Sequence, residues 1–114
     1  MPAAEKKCVP CHRDAPVMSD AEVQSRLVQL PEWQCFAEEG IKKLRKSFVC
    51  NSYADALTFV NAVARAAERE NHHPLVIFDF KTVTVVWWTH AIKGLHQNDF
   101  IMSAECDEIY RRQG

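Results

Sequence analysis

The segment that decides the fold is ERENHHPLVIFDFKTVTVVWWTH, residues 68–90. It begins with a charged stretch that leads into two histidines and a proline, and it ends with a third histidine. Between these ends, two runs rich in β-branched and aromatic residues are separated by a Lys-Thr pair, which predicts a β-hairpin. Because a hairpin brings its two ends together, we expect His72, His73 and His90 to gather at one end of a sheet.

The length of this hairpin predicts its register. If Lys81 and Thr82 are the two loop residues, the antiparallel ladder places His73 directly opposite His90. Directly opposed residues have Cβ atoms about 4.5–5.5 Å apart. The sequence therefore predicts that two imidazoles lie close together.

Both faces of the last strand are largely apolar. His90 shares one face with Trp88, whereas Val83, Val85 and Trp87 lie on the other. We expect one face to cover the helices and the other to form the wall of a ligand site or to contact another subunit.

Toward the N-terminus, the pattern predicts a helix and then a strand pair. The helix is expected to begin at Ser19, where Glu22 completes a capping box, and to stop at Pro31. Alternating residues then predict strands at 33–37 and 41–49 around a turn.

Two further helices complete the expected fold. A long helix is predicted from an N-cap at Asn51 or Ser52 to about Asn71, and a last helix with Asn98 as its N-cap. The apolar stripe of the long helix is expected to consist of Tyr53, Ala56, Leu57, Val60, Val63, Ala64 and Ala67. The order α-β-β-α-β-β-α predicts an α+β fold, with three helices packed on one face of a four-stranded antiparallel sheet.

Composition limits the classes of protein to consider. The 114 residues suit one domain, which we place at 18–114 behind a proline-containing flexible arm at 1–17. A net charge of −1 gives no reason to expect nucleic acid as a partner. The longest apolar runs are far too short to cross a bilayer, and no secretory signal is evident, so a cytoplasmic protein is expected.

The five cysteines are an odd number spread along the chain, which favours free thiols over a disulfide framework. Cys35, Cys50 and Cys106 lie in periodic segments, where cysteine usually acts as a small buried hydrophobe.

The N-terminal arm contains Cys8-Val-Pro-Cys11-His12, which matches the C-x-x-C-H pattern of c-type haem attachment. A haem site would require export to an oxidising compartment, and a zinc site would require a fourth ligand that is not evident nearby. Free thiols in a flexible arm are the simpler interpretation.

The three gathered histidines have three interpretations. They could be hydrogen-bonded structural residues, ligands of a metal, or a pair of proton-transfer groups. A metal site is awkward, because His72 and His73 are adjacent and would point apart on a strand. Imidazoles titrate near neutral pH, so general acid and general base catalysis is the interpretation we favour.

A longer pattern surrounds these histidines. It consists of an acidic residue, three others, His-His-Pro, an aromatic residue after five, a histidine after nine more and an aspartate after eight more. The residues that satisfy it are Glu68, His72, His73, Pro74, Phe80, His90 and Asp99. In this pattern, and in its element order from Met18 to Arg111, the chain resembles the pterin-4a-carbinolamine dehydratases, also described as dimerisation cofactors of a homeodomain transcription factor.

The resemblance implies an activity without a cofactor. It implies dehydration of 4a-hydroxytetrahydrobiopterin to quinonoid dihydrobiopterin, which recycles the pterin of aromatic amino-acid hydroxylases, in a homodimer or homotetramer. His72 and His90 would be the acid/base pair, and His73 would mainly position the substrate. Glu68 and Asp99 would orient the pterin or the groups that contact it. Asp99 also follows Asn98 at a predicted helix start, where the helix dipole favours an acid in any case.

Other residues around the pattern are candidate substrate contacts by the same resemblance, namely Asn71, Thr89 and Ala91, and Trp88 is a fourth candidate. Trp88 departs from the family, in which small hydroxyl residues commonly precede the threonine-histidine pair. It would stack on the pterin or narrow the site. The alternative function is a non-catalytic binding module that acts as a dimerisation or transcriptional coactivator partner, but such a module would be expected to lose a catalytic histidine, and this chain keeps all three.

Overall fold

The structure, a computed structural model, describes residues 17–113. The predicted arm, apart from Val17, and the Cys8, Cys11 and His12 motif lie outside the described residues. The elements in chain order are α1 (Asp20–Leu27), β1 (Gln34–Glu38), β2 (Ile41–Val49), α2 (Tyr53–Glu70), β3 (Leu75–Asp79), β4 (Thr82–Trp87), a 3₁₀ turn (His90–Ile92) and α3 (Gln97–Gln113).

The four strands form one antiparallel sheet in the order β1-β2-β4-β3. Its inner face carries the fully buried Val83, Val85 and Trp87 of β4 against α2 and α3, and Val23 of α1 joins the same core. The predicted α+β fold and element order are therefore confirmed. On the outer face, Leu75 and Ile77 are about half exposed. No helix within 17–113 is long and apolar enough to cross a membrane.

Helix α1 begins as the sequence predicts. The Ser19 hydroxyl accepts a hydrogen bond from the Glu22 N–H at 3.3 Å, and the Glu22 carboxylate accepts one from the Ser19 N–H at 3.2 Å. This reciprocal pair satisfies two otherwise unpaired donors. The helix ends at Leu27, before Pro31, and a series of turns leads to β1.

Helix α2 has Ser52 as its N-cap, one of the two predicted candidates, but its buried stripe differs from the prediction. The buried residues are Ala56, Phe59, Val63, Ala66 and Ala67. Three residues expected inside are exposed instead, namely Tyr53, Leu57 and Ala64. The sequence offers two overlapping apolar stripes, and the Phe59 ring, which lies 4.7 Å from the Phe48 ring between centroids, determines which one is buried.

The β3–β4 hairpin has a different register from the one predicted. Asp79 pairs with Thr82, so the two loop residues are Phe80 and Lys81. Phe80 adopts a positive φ of 52°, which is uncommon for an aromatic residue and which the sequence pattern did not indicate. Both strands end before the histidines are reached, so His73 does not pair with His90.

A carboxylate on α3 ties this helix to the sheet. Asp107 accepts a hydrogen bond from the Trp33 indole N–H at 3.1 Å and one from the Lys46 ammonium at 2.7 Å. Charge-assisted bonds of this kind fix how α3 lies on the inner face of the sheet.

The described cysteines are free thiols, as predicted. Cys50 and Cys106 are buried, and Cys35 is half-buried. Burial raises the pKa of the Cys106 thiol to about 12, so this side chain is a neutral, unreactive part of the core.

Candidate active site

The Asp99 carboxylate lies at the centre of a buried hydrogen-bond cluster and has no exposed surface. Its Oδ1 lies 2.6 Å from Nε2 of His72. Its Oδ2 accepts hydrogen bonds from the Thr89 hydroxyl at 2.8 Å and from the His96 backbone N–H at 2.9 Å. One carboxylate therefore joins the segment after α2, the segment after β4 and the start of α3.

The local structure at the start of α3 explains the position of Asp99. Asp99 is the third residue of the helix, and its N–H donates to the His96 carbonyl at 3.0 Å. The His96 ring Nδ1 accepts a hydrogen bond from the Asn98 N–H at 3.2 Å. His96 thus acts as the N-cap, and with Asp99 it forms a reciprocal arrangement of the capping-box type.

The prediction that Asn98 caps α3 is therefore wrong. Asn98 lies inside the helix and is buried, because the cap is formed two residues earlier by His96. Sequence reasoning missed His96 since histidine is not among the preferred N-cap residues. The available signal was its spacing, three residues before an acidic side chain.

His72 is oriented by contacts on several sides. Its ring lies nearly parallel to the Trp87 indole, with 5.4 Å between ring centroids and 13° between planes. Its backbone N–H bonds to the Ala67 carbonyl at 3.1 Å. An ionised carboxylate can only accept hydrogen bonds, so with Asp99 in that form Nε2 of His72 would be the nitrogen that donates.

Asn71 produces the bend that turns His72 inward. It is the C-cap of α2 in the left-handed conformation, with φ 51° and ψ 42°, and its backbone N–H bonds to the carbonyls of Ala67 and Glu68. A left-handed residue is a common way to end a helix, and asparagine tolerates this conformation well.

His73 lies in a different environment from its neighbour. Its side chain is 58% exposed, and its Nε2 lies 2.9 Å from Oε1 of Glu68, which is itself largely exposed. The two adjacent histidines therefore have different partners, one a buried carboxylate and the other a solvent-exposed one.

His90 is exposed and contacts Trp88, with 4.5 Å between ring centroids. The Lys43 ammonium lies 4.1 Å from the centre of a Trp88 ring, which is a cation–π geometry. Lys43 is 8% exposed, and its Nζ lies 2.7 Å from Oε1 of Glu38. The Trp88 indole thus contacts both a paired lysine and a candidate catalytic histidine.

A short closed turn carries the rest of the candidate residues. Thr89 and Gly94 form an isolated bridge, in which the Thr89 N–H bonds to the Gly94 carbonyl at 2.8 Å. Within this turn Thr89 is buried and directed to Asp99, whereas Ala91 is exposed.

The structure thus joins seven of the nine predicted site residues in three contacting groups, which do not include Asn71 and Ala91. His72, Thr89 and Asp99 share one hydrogen-bond cluster. The other two groups are the pair His73–Glu68 and the pair His90–Trp88. His96, which the sequence analysis did not select, belongs to the first group.

The electrostatic surroundings of His96 lower its pKa. Partial burial is the largest cause, and the charges of His72 and Arg26 act in the same direction, whereas the charge of Asp99 opposes them. The ring is therefore held neutral to a lower pH than a free histidine. Within residues 17–113, no group of three or more His, Cys, Asp or Glu side chains is placed to hold a metal ion.

Comparison with known proteins relates this arrangement to one family. The sequence profile of the family described as "Pterin 4 alpha carbinolamine dehydratase" matches residues 16–109. Two relatives provisionally named pterin-4-alpha-carbinolamine dehydratase come from Marinobacter nauticus and Microcystis aeruginosa. The first is 44% identical over 106 residues, covering 93% of this chain and 96% of the relative. The second is 42% identical over 110 residues, covering 96% and 95%.

A solved structure has the same fold. It is the crystal structure of a "transcriptional coactivator/pterin dehydratase" from Brucella melitensis, which superposes with a TM-score of 0.75 at 26% sequence identity. The match covers 82% of this chain and 98% of the Brucella chain.

Proposed function

Because this chain belongs to the pterin 4 alpha carbinolamine dehydratase family, we propose that it catalyses dehydration of 4a-hydroxytetrahydrobiopterin to quinonoid dihydrobiopterin and water. In this reaction the C4a–O bond breaks, and the hydroxyl group leaves as water after it receives a proton. N5 loses its proton, and its electron pair forms the new C4a=N5 double bond. The reaction therefore requires one proton donor and one proton acceptor, and it requires no redox cofactor.

The observation that carries the proposal is the buried His72–Asp99 pair. Asp99 holds the proton of His72 on Nε2, which leaves Nδ1 as the nitrogen that exchanges a proton with substrate. A carboxylate that fixes the tautomer and the direction of a histidine is a recurring arrangement in acid/base catalysis. Packing against Trp87 fixes the plane of the same ring.

His90 is the proposed second proton-transfer group. Its ring is exposed, so a substrate can reach it, and the adjacent Thr89 is anchored to the same carboxylate as His72. Asp99 thereby couples the backbone position of His90 to that of His72. Either histidine can serve as the acid if the other serves as the base.

His73, Glu68, Trp88, Asn71 and Ala91 are the proposed substrate-positioning residues around this pair. The His73–Glu68 pair can hydrogen-bond to the polar edge of a pterin. Trp88 offers an aromatic wall against which a fused heterocycle can stack. Asn71 and Ala91 are exposed at the ends of the two segments that carry the histidines.

The cellular setting of the proposal follows from the substrate. Aromatic amino-acid hydroxylases generate the 4a-carbinolamine, so the proposed enzyme would act on their product and recycle the pterin. The cytoplasm is the proposed compartment, because the described cysteines are free thiols, as a reducing environment favours.

A homodimer or homotetramer is the proposed assembly. Apolar side chains remain exposed on two surfaces, with Leu57 of α2 at 45%, Leu75 of β3 at 47% and Ile77 of β3 at 51%. Exposed apolar patches mark interaction sites on soluble proteins, which supports contact between copies at these surfaces. Light scattering on the eluted peak of a sizing column measures the mass, and a monomer at micromolar concentration would contradict the assembly.

A non-catalytic role as a dimerisation or coactivator partner is the second candidate. The Brucella protein of the same fold is described both as a transcriptional coactivator and as a pterin dehydratase. The buried His72–Asp99 pair favours the enzyme, because a binding surface does not require a buried imidazole oriented by a carboxylate.

The deciding experiment is a direct assay. Synthetic 4a-carbinolamine is mixed with and without purified protein, and the absorbance of the quinonoid dihydropterin is followed. We expect catalysis well above the spontaneous rate. A rate equal to that of buffer, with a folded protein, would reject the dehydratase and leave the binding module.

A further inference from the structure

We propose that His96 is a positioning residue for the reaction, and that its neutral imidazole keeps Asp99, and through it His72, in the active geometry. The inference rests on the proposed function and adds a residue outside the histidine pattern. Two hydrogen bonds carry it, namely Asn98 N–H to His96 Nδ1 at 3.2 Å and His96 N–H to Asp99 Oδ2 at 2.9 Å.

The direction of the Asp99 carboxylate depends on where the His96 backbone lies. Oδ1 of Asp99 forms a hydrogen bond with His72, and Oδ2 accepts hydrogen bonds from Thr89 and the His96 backbone. The His96 backbone is in turn held by its own ring, which closes the first turn of α3 by accepting the Asn98 N–H. The ring therefore acts on His72 through two intermediate groups, the His96 backbone and the Asp99 carboxylate.

The His96 cap depends on the protonation state of the ring. Nδ1 can accept the Asn98 N–H only while it carries a lone pair, and in an imidazolium ion both ring nitrogens are donors. Protonation of His96 therefore removes the acceptor. It also places a positive charge at the N-terminus of α3, where the helix dipole disfavours a cation. Both effects loosen the first turn, which contains Asp99.

The charges that face His96 come from three segments. They are Arg26 of α1, His72 from the segment after α2, and Asp99 of α3 itself. Together with partial burial, they leave the pKa of His96 below the ordinary value, so the ring is neutral and the cap is intact at neutral pH. The cap is then lost as the pH falls into the acidic range.

The test compares two substitutions at one position. His96→Ala removes the cap, whereas His96→Ser retains a capping hydroxyl that does not titrate. At pH 8 we expect His96→Ala to lower kcat roughly tenfold with little change in KM, as expected when an orienting partner is lost. His96→Ser should restore kcat to near the wild-type value.

The pH dependence distinguishes positioning from a merely structural role. The ratio of kcat for His96→Ser to kcat for the wild type should rise as the pH falls through the lowered pKa of His96, because only the wild type loses its cap. A ratio that is flat with pH, or a His96→Ala enzyme with wild-type kcat at pH 8, would overturn the proposal.

A matched control separates catalysis from stability. Ser52 caps α2 by accepting the Asp55 N–H at 3.0 Å and is remote in sequence from the cluster. Ser52→Ala should lower the melting temperature as a lost cap does, with kcat unchanged. If it lowers kcat as much as His96→Ala, general destabilisation explains both results and the positioning role is rejected.

A readout without substrate tests this inference separately from the proposed function. Nitrogen NMR of the ring of His72 at pH 8 reports which nitrogen carries the proton. The wild type and His96→Ser should both show the proton fixed on Nε2, and His96→Ala should show a mixture of tautomers. An unchanged His72 spectrum in His96→Ala would reject the positioning role, whereas failure of the wild type to dehydrate the pterin would reject only the proposed function.

Discussion

Nε2 of His72 lies 2.6 Å from Oδ1 of Asp99, and both side chains are almost completely enclosed by the protein. A hydrogen bond to a carboxylate in such surroundings is stronger than one in water. The pair therefore fixes both the tautomer and the direction of one imidazole before any substrate arrives.

Replacing His72 or His90 with alanine should slow dehydration by about two to four orders of magnitude, the usual contribution of a general acid or base. Stopped-flow measurement of quinonoid product gives the rates. His73→Ala is the comparison, and it should raise KM more than it lowers kcat. Near-normal kcat in both the His72 and the His90 variants would refute their assignment as the proton-transfer pair.

Asp99→Asn should lower kcat by roughly two to four orders of magnitude, because an amide can stabilise the wrong tautomer of His72. It should also cost about 1–3 kcal/mol of unfolding free energy, since one amide oxygen cannot satisfy three donors. Steady-state kinetics and urea denaturation provide the two values.

Asp107→Asn is the matched control for this variant. It changes another α3 carboxylate that accepts hydrogen bonds from Trp33 and Lys46. We expect lower stability and normal kcat. Equal losses of kcat in the two variants would mean that the effect of Asp99→Asn arises from damage to the helix.

Trp88→Ala should raise KM by about three- to tenfold, as expected for loss of one aromatic stacking contact, with a smaller effect on kcat. Trp88→Phe should recover most of the affinity. Lys43→Met tests whether the cation over the indole matters, because it removes the charge and keeps a side chain of similar length. A KM that is unchanged in Trp88→Ala would place this indole outside the substrate site.

The stability of the wild type should depend on pH through His96. Its pKa in the folded state lies below the ordinary value, so the unfolded chain binds the proton more readily. This contribution to stability is therefore complete above about pH 6.5 and decreases as the pH falls toward the lowered pKa.

The check is urea denaturation of the wild type and His96→Ser from pH 8 to pH 5. Other titrating groups act on both proteins, so the difference between their unfolding free energies isolates His96. That difference should shift in favour of His96→Ser below about pH 6.5. Parallel curves would contradict the prediction.

The sequence predicted those features that depend on local chemistry. The Ser19–Glu22 capping box, the β2 bounds and the end of α2 near Asn71 follow from capping, alternation and turn propensity, and the structure has all of them. The contact of His72 with Asp99 was not predicted from the residues, because it depends on how α3 lies on the sheet; the family resemblance implied only that Asp99 belongs to the site.

The features that the sequence did not predict depend on side chains in unusual roles. Phe80 occupies a left-handed turn position that normally favours glycine or asparagine, so the sequence pattern places the hairpin loop one residue too late. His96 caps a helix in place of the usual serine, so the pattern favours Asn98 instead. Neither residue type is among those that local preference favours at its position, so the sequence pattern does not report either role.

The exposed positions on the outer face of the sheet have a consequence for how this protein can change. Residues such as Ile77 and Ser47 contribute little to the core, whereas Val83 and Val85 of the neighbouring strand are completely enclosed. Substitutions at these exposed positions therefore change the stability of the single chain only slightly. The surface that is available for contacts with other proteins can therefore change at these positions while the buried His72–Asp99 pair is retained.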